Sequence, residues 1–309
     1  MSLLLCAGVD TIQQWRAALE SAFPDETVAV WPNLPSPSDI RIALVAKPPR
    51  GALAGLSHLE LICSLWAGVD GLLADPAWPR HVPLTRLIDP QLTAAMVESV
   101  LLHVLSAHRM APRYRLQQAK GEWLQHEQPA ASERTIGILG FGELGRACGE
   151  ALLSLGFRVI AWNRSGRAHP RIECLHDEDG LRRVLGRSNI VVGLLPNTPG
   201  TRGLLDAARL AWLPDRATVI NAGRGSVIDD DALLAALDAG RVEAAILDVF
   251  NHEPLPHDHR YWGHERVWVY PHVAAETDPR SAATIVADTV RRFRAAQPLP
   301  EQVDVDRGY

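Results

Sequence analysis

Three residues of different chemistry stand in order in the last third of the chain: Arg224 in Asn-Ala-Gly-Arg-Gly, Glu253 in Asn-His-Glu-Pro-Leu and His272 in Tyr-Pro-His-Val-Ala. Each follows a short apolar run. In a parallel sheet, all three would be delivered to the carboxyl ends of strands, the edge at which a bound cofactor is met. A guanidinium offers a rigid fork for a planar 2-oxo-carboxylate and can polarise the oxygen that becomes an alkoxide. An imidazole can give that oxygen its proton, a form of help worth roughly 10² to 10⁴ in rate. A carboxylate beside the imidazole orients it and favours its charged form, each pKa unit corresponding to about 1.4 kcal/mol. The chemistry such a set could do is the reduction of a carbonyl next to a carboxylate.

Upstream lies Gly137-Ile-Leu-Gly140-Phe-Gly142-Glu-Leu-Gly145, directly after a β-rich run and before a helical one. Gly140 would allow the tight turn, Gly142 the approach of a pyrophosphate to the backbone, and Gly145 close helix packing, with the helix N-terminus facing the phosphates. NAD-selective folds place an acid about 20 residues beyond such a loop. Here Trp162 is followed instead by Asn163, Arg164, Ser165 and then Arg167. A carboxylate about 4 Å from a 2′-phosphate charge would be opposed by roughly 4 kcal/mol at an effective dielectric near 20, and an arginine favoured by a comparable amount. NADP(H) is therefore preferred, with NAD(H) possible if Arg164 and Arg167 are only solvated loop charges.

These residues need a frame. Apolar runs at 135–140, 157–162, 190–195, 217–221, 243–249 and 267–270 alternate with helix-like segments, which predicts a doubly wound parallel sheet. The clearest helix is 229–239, with acids at its start, Leu233, Leu234 and Leu237 on one face, and Gly240 as its stop. Weaker strand signals at 2–7, 42–46 and 59–65 predict a smaller α/β lobe. A long helical pattern from about Leu92 to Gln118, interrupted near Pro112, leads from one lobe into the other. A second crossing opens at Asp278-Pro279 with an N-cap and an N1 proline and runs to about Ala296. The division expected is 1–91 with 279–309 in one discontinuous domain and 92–278 in the other.

Composition narrows the partners. With 309 residues, 47% hydrophobic content, 22% charged residues and a formal net charge of −5, the chain can bury a large core and carries no broad basic surface. Nucleic acid is a poor partner for such a surface. Four scattered cysteines without a Cys-x-x-Cys pair suit reduced thiols in the cytoplasm. No uncharged apolar stretch approaches the roughly 18 residues of a membrane span. His252, His257, His259 and His264 share one loop with Pro254, Pro256 and Gly263 but lack the fixed geometry of a metal site, so no metal is expected. Arg291, Arg292 and Arg294 read as a solvated face.

Taken together, these motifs resemble the D-isomer-specific 2-hydroxyacid dehydrogenase family over nearly the whole length. The resemblance extends through Leu195-Pro-Asn-Thr-Pro199, Asn221-Ala-Gly-Arg-Gly225, Ala245-Ile-Leu-Asp-Val-Phe250, Glu253-Pro-Leu255 and Pro271-His-Val-Ala274. Val303-Asp304 and Arg307-Gly308-Tyr309, with the basic turn after Trp162, are most similar to the glyoxylate/hydroxypyruvate reductase A branch. The resemblance implies two Rossmann-like lobes, the smaller flavodoxin-like, and NADPH-linked reduction of glyoxylate and hydroxypyruvate. It further implies catalytic roles for Arg224, Glu253 and His272, substrate contacts from Ala67, Gly68 and Val69 as well as from Arg224 and His272, and a homodimer. Cofactor contacts are implied for Gly140, Gly142, Glu143, Leu144, Gly145, Asn163, Arg164, Ser165, Pro196, Thr201 and Asp248.

Some positions depart from the family pattern. Trp66 stands where many members have a small residue, and a bulky ring there disfavours large substrates. Lys47, in Ala-Lys-Pro-Pro, is either a second cation for the carboxylate or a solvated loop lysine, and the latter is preferred. Glu253, where formate dehydrogenases would have glutamine, argues against that branch. Two alternatives stay open: a reductase for bulkier 2-oxoacids, and a dinucleotide-sensing interaction protein of the same architecture.

Overall fold

Strands apolar at consecutive positions must be covered on both faces, and a parallel sheet flanked by helices does this. The computed structural model describes residues 2–8, 11–34, 36–164 and 166–308. Its backbone divides into two compact units, Met1–Leu92 with Glu276–Tyr309, and Thr93–Ala275. In chain order the first unit holds β1 (Ser2–Ala7), α1 (Ile12–Ala22), β2 (Val28–Val30), β3 (Ile40–Ala46), β4 (Leu61–Ser64), α2 (Asp70–Leu73) and β5 (Leu84–Thr85). The chain passes into the second unit along α3 (Pro90–His108), whose start is capped by Asp89, its carboxylate accepting from the Gln91 amide at 2.8 Å.

The second unit continues with α4 (Ala111–Lys120), β6 (Thr135–Leu139), α5 (Glu143–Ser154), β7 (Arg158–Trp162), β8 (Glu173–Leu175), α6 (Asp177–Arg187) and β9 (Ile190–Gly193). It ends with α7 (Ala207–Leu210), β10 (Ala217–Asn221), α8 (Asp230–Asp238), β11 (Val242–Leu247) and β12 (Val267–Val269). The chain then returns to the first unit as α9 (Pro279–Arg294), with the Asp278 carboxylate accepting from the Arg280 amide.

The first unit's sheet runs β2-β1-β3-β4-β5, all parallel, which is the flavodoxin-like order. Leu3, Leu5, Ile42 and Leu44 pack against Trp15 and Leu19 of α1 and Ala283, Val286 and Val290 of α9. The alternate residues Leu4, Cys6, Ala43 and Val45 form a second cluster with Leu53, Trp78 and Val303.

The second unit's sheet runs β12-β11-β10-β9-β6-β7-β8, again parallel throughout. Its order reverses between β9 and β6, the switch point at which doubly wound sheets bind ligands. Ile136, Ile138, Val192, Ile220 and Ile246 face α3 and α5, through residues such as Val100, Val104 and Leu152. Leu139, Val191, Val219 and Leu247 face α6 and α8, through Leu181, Leu185, Leu233 and Leu237. This alternation buries both faces.

The sequence expectation differs from the structure at short elements. β2, β5 and β8, two or three residues each, carry no periodicity long enough to register. The long helical pattern is interrupted near Pro112 as expected, the break itself falling at Met110, which has a left-handed backbone with φ +58°. Pro112 lies in the first turn of α4, where its missing N–H leaves no intrahelical bond unmade.

The β6–α5 turn separates two kinds of glycine. Gly140 has φ +99°, and a Cβ there would lie 2.7 Å from the Leu194 carbonyl oxygen; a Cβ at Gly145 would lie 2.0 Å from the Gly140 carbonyl oxygen. At Gly142 a Cβ would meet nothing within 4 Å. Gly145→Ala should therefore destabilise the protein by about 1–3 kcal/mol, and Gly142→Ala by less than about 1 kcal/mol. Urea denaturation of the two variants checks this; equal midpoints would contradict the assignment of Gly145 to packing.

Candidate functional site

Within the second unit, the trio sits on three consecutive β-to-loop junctions. Arg224 follows β10, Glu253 follows β11 and His272 follows β12. Because β10, β11 and β12 are neighbours running in the same direction, residues 29 and 48 positions apart in sequence are brought to one edge. His272 Nδ1 and Glu253 Oε2 are 2.7 Å apart. The other carboxylate oxygen, Oε1, accepts from the Phe250 amide at 2.9 Å, so the carboxylate cannot swing away without giving up a backbone bond. With Nδ1–H committed to Glu253, Nε2 is the ring nitrogen left for another partner.

The electrostatics follow from this pair. The hydrogen bond that His272 donates to Glu253 raises the His272 pKa above its ordinary value; burial and the Arg224 charge oppose the rise, and the charges of Glu253 and Asp248 add to it. Burial pushes the Glu253 carboxyl up, but the His272 and Phe250 hydrogen bonds together with the His272 and Arg224 charges outweigh it and hold the group below the usual carboxylate range. Both shifts favour an imidazolium–carboxylate pair. Arg224 is close enough for its charge to act on both members.

The Arg224 turn is tied from beneath. Asn221, the last residue of β10 and 2% exposed, donates from Nδ2 to the Arg224 carbonyl at 2.9 Å and accepts the Gly223 amide at 3.2 Å. A Cβ at Gly225 would lie 2.0 Å from the Phe250 carbonyl carbon, so the turn lies flush on the residue whose amide holds Glu253. Asn221 was not singled out by its chemistry in the sequence; its place beside the Gly-Arg-Gly turn is the only signal.

Asp248, counted in the sequence among cofactor contacts, is 2% exposed and spends its carboxylate on the backbone, accepting the Val273 amide at 2.9 Å and the Ala274 amide at 3.0 Å. It thereby holds the two residues after His272. That segment needs holding: His272 has φ +56°, a left-handed conformation that costs a non-glycine residue on the order of 1–3 kcal/mol.

The glycine loop meets the requirements of a dinucleotide. Gly142 caps α5 and has no side chain with which to satisfy its first amides, and open space lies where a side chain would be. Backbone N–H groups and the positive end of a 12-residue helix are thus left facing a surface that an anion can reach. Glu143 pairs with Arg146 at 2.8 Å, and Leu144 packs on the core. Asn163, 6% exposed, closes the loop after β7 on itself: its Oδ1 accepts the Arg167 amide at 2.9 Å and its Nδ2 donates to the Arg167 carbonyl at 3.2 Å. Arg164 and Arg167 are exposed on that loop, while Ser165 lies outside the described residues. Thr201 Oγ1 donates to the Pro196 carbonyl at 2.5 Å and accepts the Thr198 amide at 2.9 Å, so its hydroxyl shapes the loop after β9.

In the first unit, Ala67, Gly68 and Val69 lie between β4 and α2, at the carboxyl end of a strand. Ser64 fixes the start of this loop, donating to the Trp66 carbonyl at 2.8 Å and accepting its amide at 3.1 Å. The Trp66 ring packs partly against the core cluster of α1 and α9. Lys47 is exposed with φ +52°. In the histidine-rich loop, His259 accepts the Tyr261 amide and His264 pairs with Asp238 at 3.2 Å; no group of three metal-ligating side chains occurs among the described residues.

Comparison with known proteins agrees in both sequence and shape. Residues 101–274 match the family model for the D-isomer specific 2-hydroxyacid dehydrogenase NAD binding domain. A glyoxylate/hydroxypyruvate reductase A from Klebsiella pneumoniae is 36% identical over 303 residues, 96% of each chain. A D-isomer specific 2-hydroxyacid dehydrogenase from Xanthobacter autotrophicus Py2, solved with NADPH and MES, is 40% identical with a TM-score of 0.95, covering 100% of this chain and 99% of that one. An NADPH-dependent glyoxylate/hydroxypyruvate reductase from Sinorhizobium meliloti, solved with NADP and sulfate, is 36% identical with a TM-score of 0.91 at the same coverage. The chain belongs to the D-isomer specific 2-hydroxyacid dehydrogenase family.

Proposed function

We propose that the protein is an NADPH-dependent reductase of small 2-oxoacids, taking glyoxylate to glycolate and hydroxypyruvate to D-glycerate. The observation that carries this reading is the 2.7 Å His272–Glu253 pair beside Arg224 at the edge of a doubly wound sheet. The names of the Klebsiella and Sinorhizobium relatives support the substrates, and the NADPH and NADP complexes of the Xanthobacter and Sinorhizobium proteins support the cofactor.

In this reading, 92–278 is the dinucleotide domain, and 1–91 with 279–309 the substrate domain. The amides around Gly140, Gly142 and Gly145 hold the pyrophosphate, and Arg164 takes the 2′-phosphate on a loop shaped by Asn163. Bound NADPH supplies the hydride. Arg224 binds the substrate carboxylate and draws electron density toward the carbonyl oxygen. His272 donates its Nε2 proton to that oxygen, and Glu253 keeps the ring oriented and charged. Ala67, Gly68 and Val69 are further substrate contacts in this reading, as the family resemblance implies. A homodimer is supported by exposed apolar residues of the second unit: Leu102 and Leu105 on α3, and Trp123, 94% exposed, with Leu124 in the segment after α4. Four unpaired cysteines fit a cytoplasmic location, and no helix among the described residues is long and apolar enough to cross a membrane.

Three measurements test the reading. Oxidation of NADPH by glyoxylate and by hydroxypyruvate, followed at the nicotinamide absorbance, should give a higher kcat/KM than NADH does. Arg164→Ala should lower the NADPH value about tenfold and leave the NADH value unchanged; turnover with NADH alone would contradict the cofactor reading.

The second concerns the proton. His272→Gln should lower kcat by about 10² to 10⁴. Because the acid form of His272 is required and its pKa is raised above 6.5, reductive kcat/KM should be fully present at lower pH and fall as pH rises through that elevated pKa. In Glu253→Gln the fall should move to lower pH. An unmoved profile would remove Glu253 from this role.

The third is assembly. Light scattering should give twice the chain mass, and Trp123→Ser should shift the population toward the single chain. A monomeric parent protein would refute the dimer.

A further inference from the structure

His272 places a proton donor on a left-handed backbone, φ +56°, and such a conformation persists only where its surroundings over-determine it. Asp248 accounts for part of this through the Val273 and Ala274 amides. The carbonyl of Ala274, a residue 4% exposed, has a different partner: the Ser99 hydroxyl donates to it at 2.7 Å from the middle of α3. A serine inside a helix ordinarily bonds back to its own helix one turn earlier; Ser99 instead reaches a residue 175 positions away. One turn further along α3, His103 sets its ring against Tyr270, with centroids 4.6 Å apart at 54°. The helix therefore grips the chain two residues before His272 and two residues after it.

We infer that Ser99 is a positioning residue for the proton donor: its hydroxyl, acting through the Ala274 carbonyl, fixes the backbone from which His272 reaches Glu253. This rests on the reductase reading for its kinetic consequences but not for the brace itself. Losing the hydroxyl deprives a buried carbonyl of its partner and lets the 271–274 turn relax toward ordinary dihedrals, which would carry the imidazole away from Glu253 Oε2. The charged groups facing His272 are Glu253 and Arg224, on the neighbouring loops, and Asp248 at the end of β11. On α3, burial lowers the His103 pKa, against the opposing charge of Asp248.

Ser99→Thr and Ser99→Val have the same shape and differ in the hydroxyl. In the full-length protein, Ser99→Thr should keep kcat near that of the parent. Ser99→Val should lose roughly tenfold, with KM for NADPH unchanged and the alkaline fall of reductive kcat/KM displaced to lower pH. Equal kcat and equal pH profiles in the two variants would overturn the inference. An independent readout needs no turnover: amide exchange at Val273 and Ala274 should be faster in Ser99→Val than in Ser99→Thr, and equal rates would likewise overturn it. If the parent protein reduced no 2-oxoacid, the activity reading would fail and the exchange comparison would still judge the brace. Should Ser99→Val not fold, Ser99→Ala against the parent gives the same comparison.

Discussion

A single hydrogen bond, from an imidazole on one strand end to a carboxylate on the next, sets the demands that the second unit meets. For Glu253 to keep His272 charged, the two must stay 2.7 Å apart although both are partly open to water. Exposed ion pairs between flexible side chains contribute little, because holding them together offsets what their attraction gains. Here the flexibility is removed in advance. Glu253 is anchored by the Phe250 amide, Phe250 is pressed against Gly225, and the His272 backbone is held by Asp248 and Ser99.

These supports come from the layers of the sheet. β10, β11 and β12 are parallel neighbours, so their carboxyl ends present Arg224, Glu253 and His272 side by side without any long-range folding of loops. α3, covering one face, serves the core with Val100 and Val104 and the site with Ser99 and His103. The turn between β6 and α5 divides its glycines similarly: Gly145 is required by helix packing, and Gly142 leaves room for something outside the protein. Packing and function are separate duties of adjacent residues in one element.

Much of this was legible in the chain. Long apolar strands and the helix at 230–238 declare themselves by period, and residues that end such strands at a parallel edge can be named as a site before any coordinates exist. What was not legible falls into two kinds. Elements of two or three residues, such as β5 and β8, are too short to show a period and are ordered by pairing with neighbours. Side-chain assignments are the other kind: Asp248, Asn163 and Thr201 are recognisable as residues near the site, but only the structure shows that their polar atoms are spent on backbone groups. Ser99 is invisible in sequence, since one serine on a buried helix face looks like any other.

The central claim is that Glu253 fixes both the charge and the tautomer of His272. Titration of the histidine-labelled protein by nitrogen-15 NMR reads both at once. The account predicts that His272 titrates above 6.5 and that its neutral form carries the proton on Nδ1, leaving Nε2 to face the substrate. A midpoint at or below 6.5, or a neutral form protonated on Nε2, would contradict it.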